Sequence, residues 1–145
     1  MIRSATNADW PAIENLLRSA DLPLEGANVH NFFVTEVDGQ LIACAALERY
    51  GRTALLRSVA VDPAQRGAGI GANVVRRVID AARQESIESI VLLTTTAESW
   101  FPRFGFRPTV RDAIAGDVTQ SAEFRGACPS TAVVMTLELS TNTGR

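Results

Sequence analysis

One α/β domain of the α+β kind, built on a mixed, mostly antiparallel sheet, is the fold class this sequence predicts. Three observations predict it. Short apolar, β-branched runs separated by turn signals fill residues 32–61. Apolar residues at helical spacing occur near the start of the chain and again after residue 69. Between them, residues 53–95 read as strand, glycine-rich turn, helix, strand, a unit that requires a parallel strand pair and a right-handed crossover. The 145 residues suit one compact domain able to bury a core without disulfides or metals.

The elements follow in order. Residues 1–5 read as a short strand. Asp9 is placed to cap a helix whose apolar positions Ile13, Leu16, Leu17 and Ala20 recur on one face, with Pro11 in its first turn. Residues 21–30 hold Pro23 and Gly26 and read as a loop or a short helical turn. Residues 32–37 and 40–47 flank Asp38-Gly39, a strong hairpin signal, and the second strand runs on to Glu48. Tyr50-Gly51 then turns the chain into a strand at 53–61. A two-residue turn there pairs Arg49 with Arg52, Glu48 with Thr53 and Cys44 with Arg57. Asp62-Pro63 ends the strand.

Gly67, Gly69 and Gly71 lead into a helix reaching about Gln84, with Ile70, Val74, Val78, Ala81 and Ala82 as its apolar stripe and Arg76, Arg77, Asp80 and Arg83 on a solvated face. Residues 89–95 form a buried strand, 98–104 a short helix ended by Gly105, 112–125 one or two short helices, and 132–139 a final strand. The domain is expected over residues 1–139, with 140–145 a frayed polar tail.

Composition excludes several classes. The formal net charge is -2, so no basic field points to nucleic acid or an anionic membrane. Cys44 lies in an apolar run and reads as a buried thiol; Cys128 lies between glycine and proline and reads as partly exposed. Neither belongs to a CxxC pair, so no structural zinc or other metal site is expected. No apolar run approaches the roughly 20 residues that span a bilayer, and Arg3, Asn7 and Asp9 follow Met1 at once, unlike a secretory leader. A cytoplasmic location is the resulting expectation.

Residues Val59-Ala60-Val61-Asp62-Pro63-Ala64-Gln65-Arg66-Gly67-Ala68-Gly69-Ile70-Gly71-Ala72 carry the chemistry. A buried strand stops and a glycine-rich turn opens a helix, whose first amides lack intrahelical partners and sit at the positive end of the dipole. Glycine lets backbone approach an anion, and Arg66 adds a charge suited to phosphate. A phosphate or pyrophosphate site follows. A Walker loop needs Gly-Lys-Ser/Thr, but Ala72 and Asn73 follow Gly71; a dinucleotide fingerprint needs GxGxxG, and the chain has GxGxG after four strands.

The segment Gln65 to Ala72 resembles the coenzyme-A-binding motif Q/R-x-x-G-x-G/A of GNAT acetyltransferases. It is preceded by a strand ending Val-Ala-Val and followed by Trp100-Phe101-Pro102-Arg103-Phe104-Gly105-Phe106, similar to the short helix and Gly-Phe bulge of that family. The resemblance implies acetyl-CoA as cosubstrate, with its pyrophosphate on the amides of Arg66, Gly67, Gly69, Gly71 and Ala72. It implies that the pantetheine arm lies against Val59, Ala60 and Val61, in the wedge where the parallel strands splay, and near Thr94, where many relatives have asparagine. Direct attack of an amine on the thioester then needs a proton acceptor, for which Glu48 is the candidate; the alternative is an exposed hairpin carboxylate paired with Arg49 or Arg52.

The tyrosine that many relatives use as general acid is replaced by Phe101, leaving Ser99, Thr95, Cys128 or water for that role. Thr95 and Arg57 are the candidate acceptor contacts; Arg57, inside an apolar strand, alternatively forms a structural ion pair with Glu48. His30 lies near the loop that often lines the acceptor site in this fold.

A finer resemblance is to a small branch from arsenic-resistance operons, itself similar to the acetyltransferase domain of N-acetylglutamate synthase. It rests on Leu47-Glu48-x-Tyr50-Gly51, the strand from Leu55 to Val61, Leu92 to Ala97, and Ser121-x-Glu123-Phe124 followed by Cys128-Pro129-Ser130. It implies a small-molecule primary amine as acceptor, an amino-bearing organoarsenical or an amino acid, and it admits a homodimer. A protein or peptide acetyltransferase and a non-catalytic coenzyme-A sensor are the alternatives.

Overall fold

The computed structural model describes residues 1–139. Its strands are β1 (Ile2–Ser4), β2 (Phe32–Val37), β3 (Gln40–Tyr50), β4 (Thr53–Val61), β5 (Ser89–Thr94), β6 (Arg107–Thr109) and β7 (Val133–Glu138); its helices are α1 (Trp10–Ser19) and α2 (Ile70–Gln84). The strands form one sheet in the order β1-β2-β3-β4-β5-β7-β6. Every neighbouring pair is antiparallel except β4 and β5. The tail expected at 140–145 lies outside the described residues.

Both faces of the sheet are covered, which is why β3 reads as an unbroken apolar run from Ile42 to Leu47 rather than an alternation. Successive residues point to opposite faces. Phe33, Ala43, Ala45, Leu47 and Leu56 pack with α2, through Val74, Val75, Val78, Ile79, Ala81 and Ala82. Phe32, Val34, Cys44, Ala46 and Ala60 pack with Ile13, Leu16 and Leu17 of α1. The stripe of α2 is wider than the spacing alone marks out, by Val75 and Ile79; Arg76, Arg77, Asp80 and Arg83 are exposed.

Several local expectations differ from the structure. Asp9 stands at the N-cap position of α1, yet its side chain makes no cap bond there. Its carboxylate turns back instead, accepting two hydrogen bonds from Arg3 (2.8 and 3.0 Å) and one from the Thr6 amide (2.7 Å). Charge-assisted, bidentate pairing with arginine outcompetes a single cap bond.

The β3–β4 hairpin pairs Tyr50 with Thr53 and Glu48 with Leu55, two residues away from the expected register. Gly51, at φ 69°, sits in the turn itself, which moves the turn one residue along. Because the shift is even, each residue keeps its face. Past Arg57 the register breaks: Ala46 pairs with Arg57 but Cys44 with Ala60, leaving Ser58 and Val59 as a bulge. Ser58 takes φ 60°, a left-handed conformation that a non-glycine residue adopts only when its surroundings enforce it.

The parallel pair is short. β4 and β5 are in register only at Thr53–Ser89, Ala54–Ile90 and Leu55–Val91. Beyond that β5 stays with β7 while β4 diverges, so the strands splay from Leu56 onward. The region expected to hold short helices contains 3-10 turns at Arg111–Ala113 and Asp117–Gln120 and a π turn at Glu123–Ala127. The expected helix at 98–104 is reduced to a 3-10 turn at Phe101–Phe104. Among the described residues no helix is long and apolar enough to cross a membrane.

Candidate active site

The splay opens a cleft of about 1630 Å³, bounded by residues of β4, the start of α2, the end of β5 and the loops carrying Pro23 and Cys128. That exceeds the volume typical of a site for one small ligand, roughly 300–1,000 Å³. There is space for two reactants.

At one end the glycines behave in two ways. Gly67 and Gly69 have φ 90° and 79°, with open space where a side chain would stand; backbone conformation is what they supply. Gly71 is required for closeness: a Cβ there would lie 3.1 Å from Val61 Cγ2 and 3.6 Å from the Trp100 ring. The helix start is thereby drawn against the end of β4. Among the described residues the amides of Gly67 to Ala72 have no backbone partners, as expected of a helix N-terminus. Arg66 Nε donates to the Val61 carbonyl at 3.4 Å, which folds the Arg66 side chain back over the loop. These features fit a pyrophosphate, and the chain of cleft-lining residues from Val59 to Val61 fits an extended arm beside it.

The middle of the cleft is bounded by β5. Thr94 Oγ1 accepts from the Ala97 amide at 3.0 Å and so shapes the turn out of the strand, while Thr95 is exposed in the cleft. Phe101 borders the cleft and belongs to the core, edge-on to Trp100 and Phe106 with ring centroids 4.9 and 5.8 Å away.

The other end holds a buried polar network that the sequence only half discloses. The Arg57 side chain is 0% exposed. Its Nη1 donates to Glu25 O (2.7 Å) and Glu48 Oε2 (3.1 Å), Nη2 to Pro23 O (3.0 Å) and Nε to Ser58 Oγ (3.0 Å), and Nε also lies 3.4 Å from Glu123 Oε2. Arg57 therefore ties the loop at 21–31 to β4. The expected ion pair with Glu48 is present.

Glu48 is buried rather than exposed, accepts from the Tyr50 hydroxyl at 2.7 Å, and is not among the residues lining the cleft. The structure thus places Glu48 behind Arg57 rather than open to an acceptor. Arg49 and Arg52, its expected alternative partners, pair with Glu85 and Glu88. Burial, with help from the Glu48 carboxylate, pushes the Tyr50 hydroxyl above its usual range. Glu123 is buried and borders the cleft; burial raises its carboxyl above the usual range, opposed by Arg57. Burial and the Glu123 charge push the Cys128 thiol up to about 12. Of the other candidates, His30 is exposed and neither it nor Ser99 lines the cleft.

Residues 28–108, more than half of the chain, match the model of the acetyltransferase (GNAT) domain. The chain belongs to the GNAT acetyltransferase family. Acetyl-CoA is the acetyl donor of that family, and the cradle at Gly67 to Ala72 suits it. The amino-acid acetyltransferase of Mycobacterium tuberculosis is 33% identical over 118 residues, covering 73% of this chain and 67% of that protein. That of Mannheimia succiniciproducens is 33% identical over 121 residues, 73% of this chain, but the aligned part spans only 27% of that longer relative.

Among solved structures, Rv2747 of M. tuberculosis, in complex with CoA and NLQ, superposes with TM-score 0.82 at 28% identity, covering 97% of this chain and 99% of that one. N-acetylglutamate synthase of Neisseria gonorrhoeae, complexed with coenzyme A and N-acetyl-glutamate, has the same fold: TM-score 0.83 at 24% identity, over 97% of this chain and 35% of that one. The chain is therefore related to amino-acid acetyltransferases and shares the fold of N-acetylglutamate synthase; the arsenic-resistance branch is not among these relatives.

Three features escaped the sequence reading: the left-handed bulge at Ser58, the carbonyls of Pro23 and Glu25 as ligands of Arg57, and the place of Glu123 in the cleft. Only Glu123 left a trace, within the Ser-x-Glu-Phe string.

Proposed function

We propose that this protein is an N-acetyltransferase that moves acetyl from acetyl-CoA to the primary amine of a small molecule, an amino acid in the first instance. One observation carries the reading: a single cleft joins an anion cradle at Gly67 to Ala72 to a buried, charged pocket at Arg57 and Glu123. When bound, acetyl-CoA supplies an activated acetyl group. The chain's own residues do the rest. The amides of Arg66, Gly67, Gly69, Gly71 and Ala72 hold the pyrophosphate. Val59, Ala60 and Val61, with Thr94 and Phe101, position the arm, and the bulge at Ser58 and Val59 leaves the Val59 amide out of the β3 register, where it is available to polarise a carbonyl.

Thr95, in the middle of the cleft, is the second candidate acceptor contact, and Arg57 borders the acceptor end. Arg57 acts there chiefly by fixing the loop at 21–31, since four of its five N–H donors are engaged within the chain. Glu48 acts through Arg57, by holding the guanidinium in place, rather than as the base. The buried charged groups at the acceptor end, Arg57 and Glu123, favour a small polar amine over a protein or peptide, and an amino-bearing organoarsenical stays within the proposed class. A donor made from coenzyme A suits the cytoplasmic location expected from the sequence.

The test is release of free coenzyme A, read with a thiol reagent, across amino acids, polyamines, aminoglycosides, aminophenylarsenicals and peptides. Release driven by one class of small amine is the expected result. Release with peptides alone would overturn the small-molecule reading, and binding of acetyl-CoA without release in any class would favour a sensor.

A further inference from the structure

The acceptor end of the cleft carries more acid than base. Arg57 is buried against two buried carboxylates, Glu48 at 3.1 Å and Glu123 at 3.4 Å. One guanidinium balances one of them. The two acids are not equivalent. Glu48 comes from β3, gives one oxygen to Arg57 and the other to the Tyr50 hydroxyl, and does not border the cleft. Glu123 comes from the opposite wall, on the π turn Glu123–Ala127, and borders the cleft beside Ala127, Cys128 and Pro129. Glu123 shares Arg57 with Glu48, and of the two acids it is the one that faces the space an acceptor must occupy.

We infer that Glu123 is the carboxylate that meets the acceptor's ammonium group and takes its proton before acetyl transfer. The inference rests on the acetyl-transfer reading of the same cleft. The groups facing Glu123 are Arg57 from β4, Glu48 from β3 and Cys128 from its own turn; Tyr50 acts on it through Glu48, and Arg111 lies near Cys128. Burial is the largest influence on the carboxyl and raises it; Arg57 and then a hydrogen bond from the Cys128 thiol oppose the rise, and Glu48 adds to it. A carboxylate whose hold on a proton is raised in this way is a better proton acceptor than an ordinary exposed one. The arrangement also gives Glu48 a purpose, since by pairing with Arg57 it lessens the hold of the guanidinium on Glu123.

The proton balance is simple. R–NH3⁺ gives one proton to the Glu123 carboxylate. The freed lone pair forms the N–C bond as the thioester C–S bond breaks, and the departing sulfur takes up the second proton that the nitrogen sheds. The carboxyl then returns its proton to water.

The test compares wild type with Glu123→Gln and Glu123→Asp from pH 6 to 9.5, using acetyl-CoA with L-glutamate, L-glutamine and L-aspartate, whose amines are protonated at neutral pH. Acetyl-CoA affinity and thermal stability are measured alongside. A base of this kind contributes on the order of 10²–10⁴-fold. The expected result is a loss in kcat/KM of about 100-fold or more at pH 7 for Glu123→Gln, shrinking as pH rises and the amine loses its proton unaided, with acetyl-CoA affinity unchanged. Glu123→Asp should show the same pH-dependent loss to a smaller extent, and it is the variant read if Glu123→Gln does not fold. Three results overturn the assignment alone: kcat/KM within threefold of wild type, a loss that is the same at every pH, or a loss explained by weakened acetyl-CoA binding. Wild-type protein that binds acetyl-CoA and acetylates none of the three amines overturns the acceptor reading and this assignment with it.

Discussion

Replacing Arg57 by methionine tests the buried network most severely. The side chain is fully enclosed and anchors Pro23, Glu25, Ser58, Glu48 and Glu123. Removing one partner of a buried ion pair costs about 3–5 kcal/mol, because the remaining charge is left in a poorly solvating place. A limit applies. A stranded carboxyl takes up a proton instead of staying charged, and at pH 7, for an ordinary value near 4.3, that costs about 3.7 kcal/mol for each of the two carboxyls. We therefore expect Arg57→Met to lose about 3–5 kcal/mol at pH 7, a fall in Tm of about 10–15 °C for a domain of this size.

The pH dependence gives the sharper signature. Burial already raises Glu123, and without Arg57 the larger of the two lowering influences disappears, leaving that of Cys128. A carboxyl whose folded pKa lies above its unfolded value holds more protons when folded. Stability then falls as pH rises through the folded pKa, so the deficit of Arg57→Met should be largest near pH 8 and smaller near pH 5. Urea unfolding of both proteins at the two pH values measures it. A deficit below 1 kcal/mol, or one equal at pH 5 and pH 8, would refute the network as the reason Arg57 is buried.

Three further outcomes are expected. Gly105 has φ 100° and a Cβ there would meet Leu137 Cδ1 at 3.0 Å, so Gly105→Ala should lose about 1–2 kcal/mol in urea unfolding at constant m-value. Arg3 holds the Asp9 carboxyl down at about 2; its folded pKa is depressed, so its stabilising effect is present above about pH 4 and lost as pH falls through 2. Wild type should then exceed Asp9→Asn in stability at pH 5–7, and the two should converge near pH 2. Burial pushes the Cys44 and Cys128 thiols up to about 12, so iodoacetamide at pH 8 should label neither quickly in the folded protein. Glu123→Gln should speed labelling of Cys128 and leave Cys44 unchanged.

Much of this architecture can be read from local chemistry. Asp38-Gly39 fixes the first hairpin, and the glycines at 67, 69 and 71 place the start of α2 because positive φ and close approach both demand glycine there. Gly105 marks the end of the short turn before Phe106 in the same way. Ser58 carries no such mark: serine is an ordinary strand residue, and only the packing of β3, Arg57 and the Cys44 thiol, which donates to the Ser58 carbonyl at 3.4 Å, holds it left-handed.

Glu48 illustrates a second limit. A carboxylate two residues from a hairpin turn reads as exposed, yet Arg57 lies diagonally across on the same face of the sheet and a distant segment covers both. That segment, residues 110–132, has no helical or strand period to show that it folds back over the cleft, so Glu123 stays hidden until the chain is seen folded.

The central claim is that the turn from Gly67 to Ala72 holds the pyrophosphate of acetyl-CoA, and calorimetric titration of wild type and Gly69→Asp tests it most directly. Space is open around Gly69, so the new side chain fits, and aspartate tolerates the left-handed backbone better than most residues. Its negative charge beside the pyrophosphate should cost about 1.5–2 kcal/mol of binding, weakening acetyl-CoA by about tenfold or more with the fold retained. Equal affinity in the two proteins, or no binding by wild type, would contradict the account.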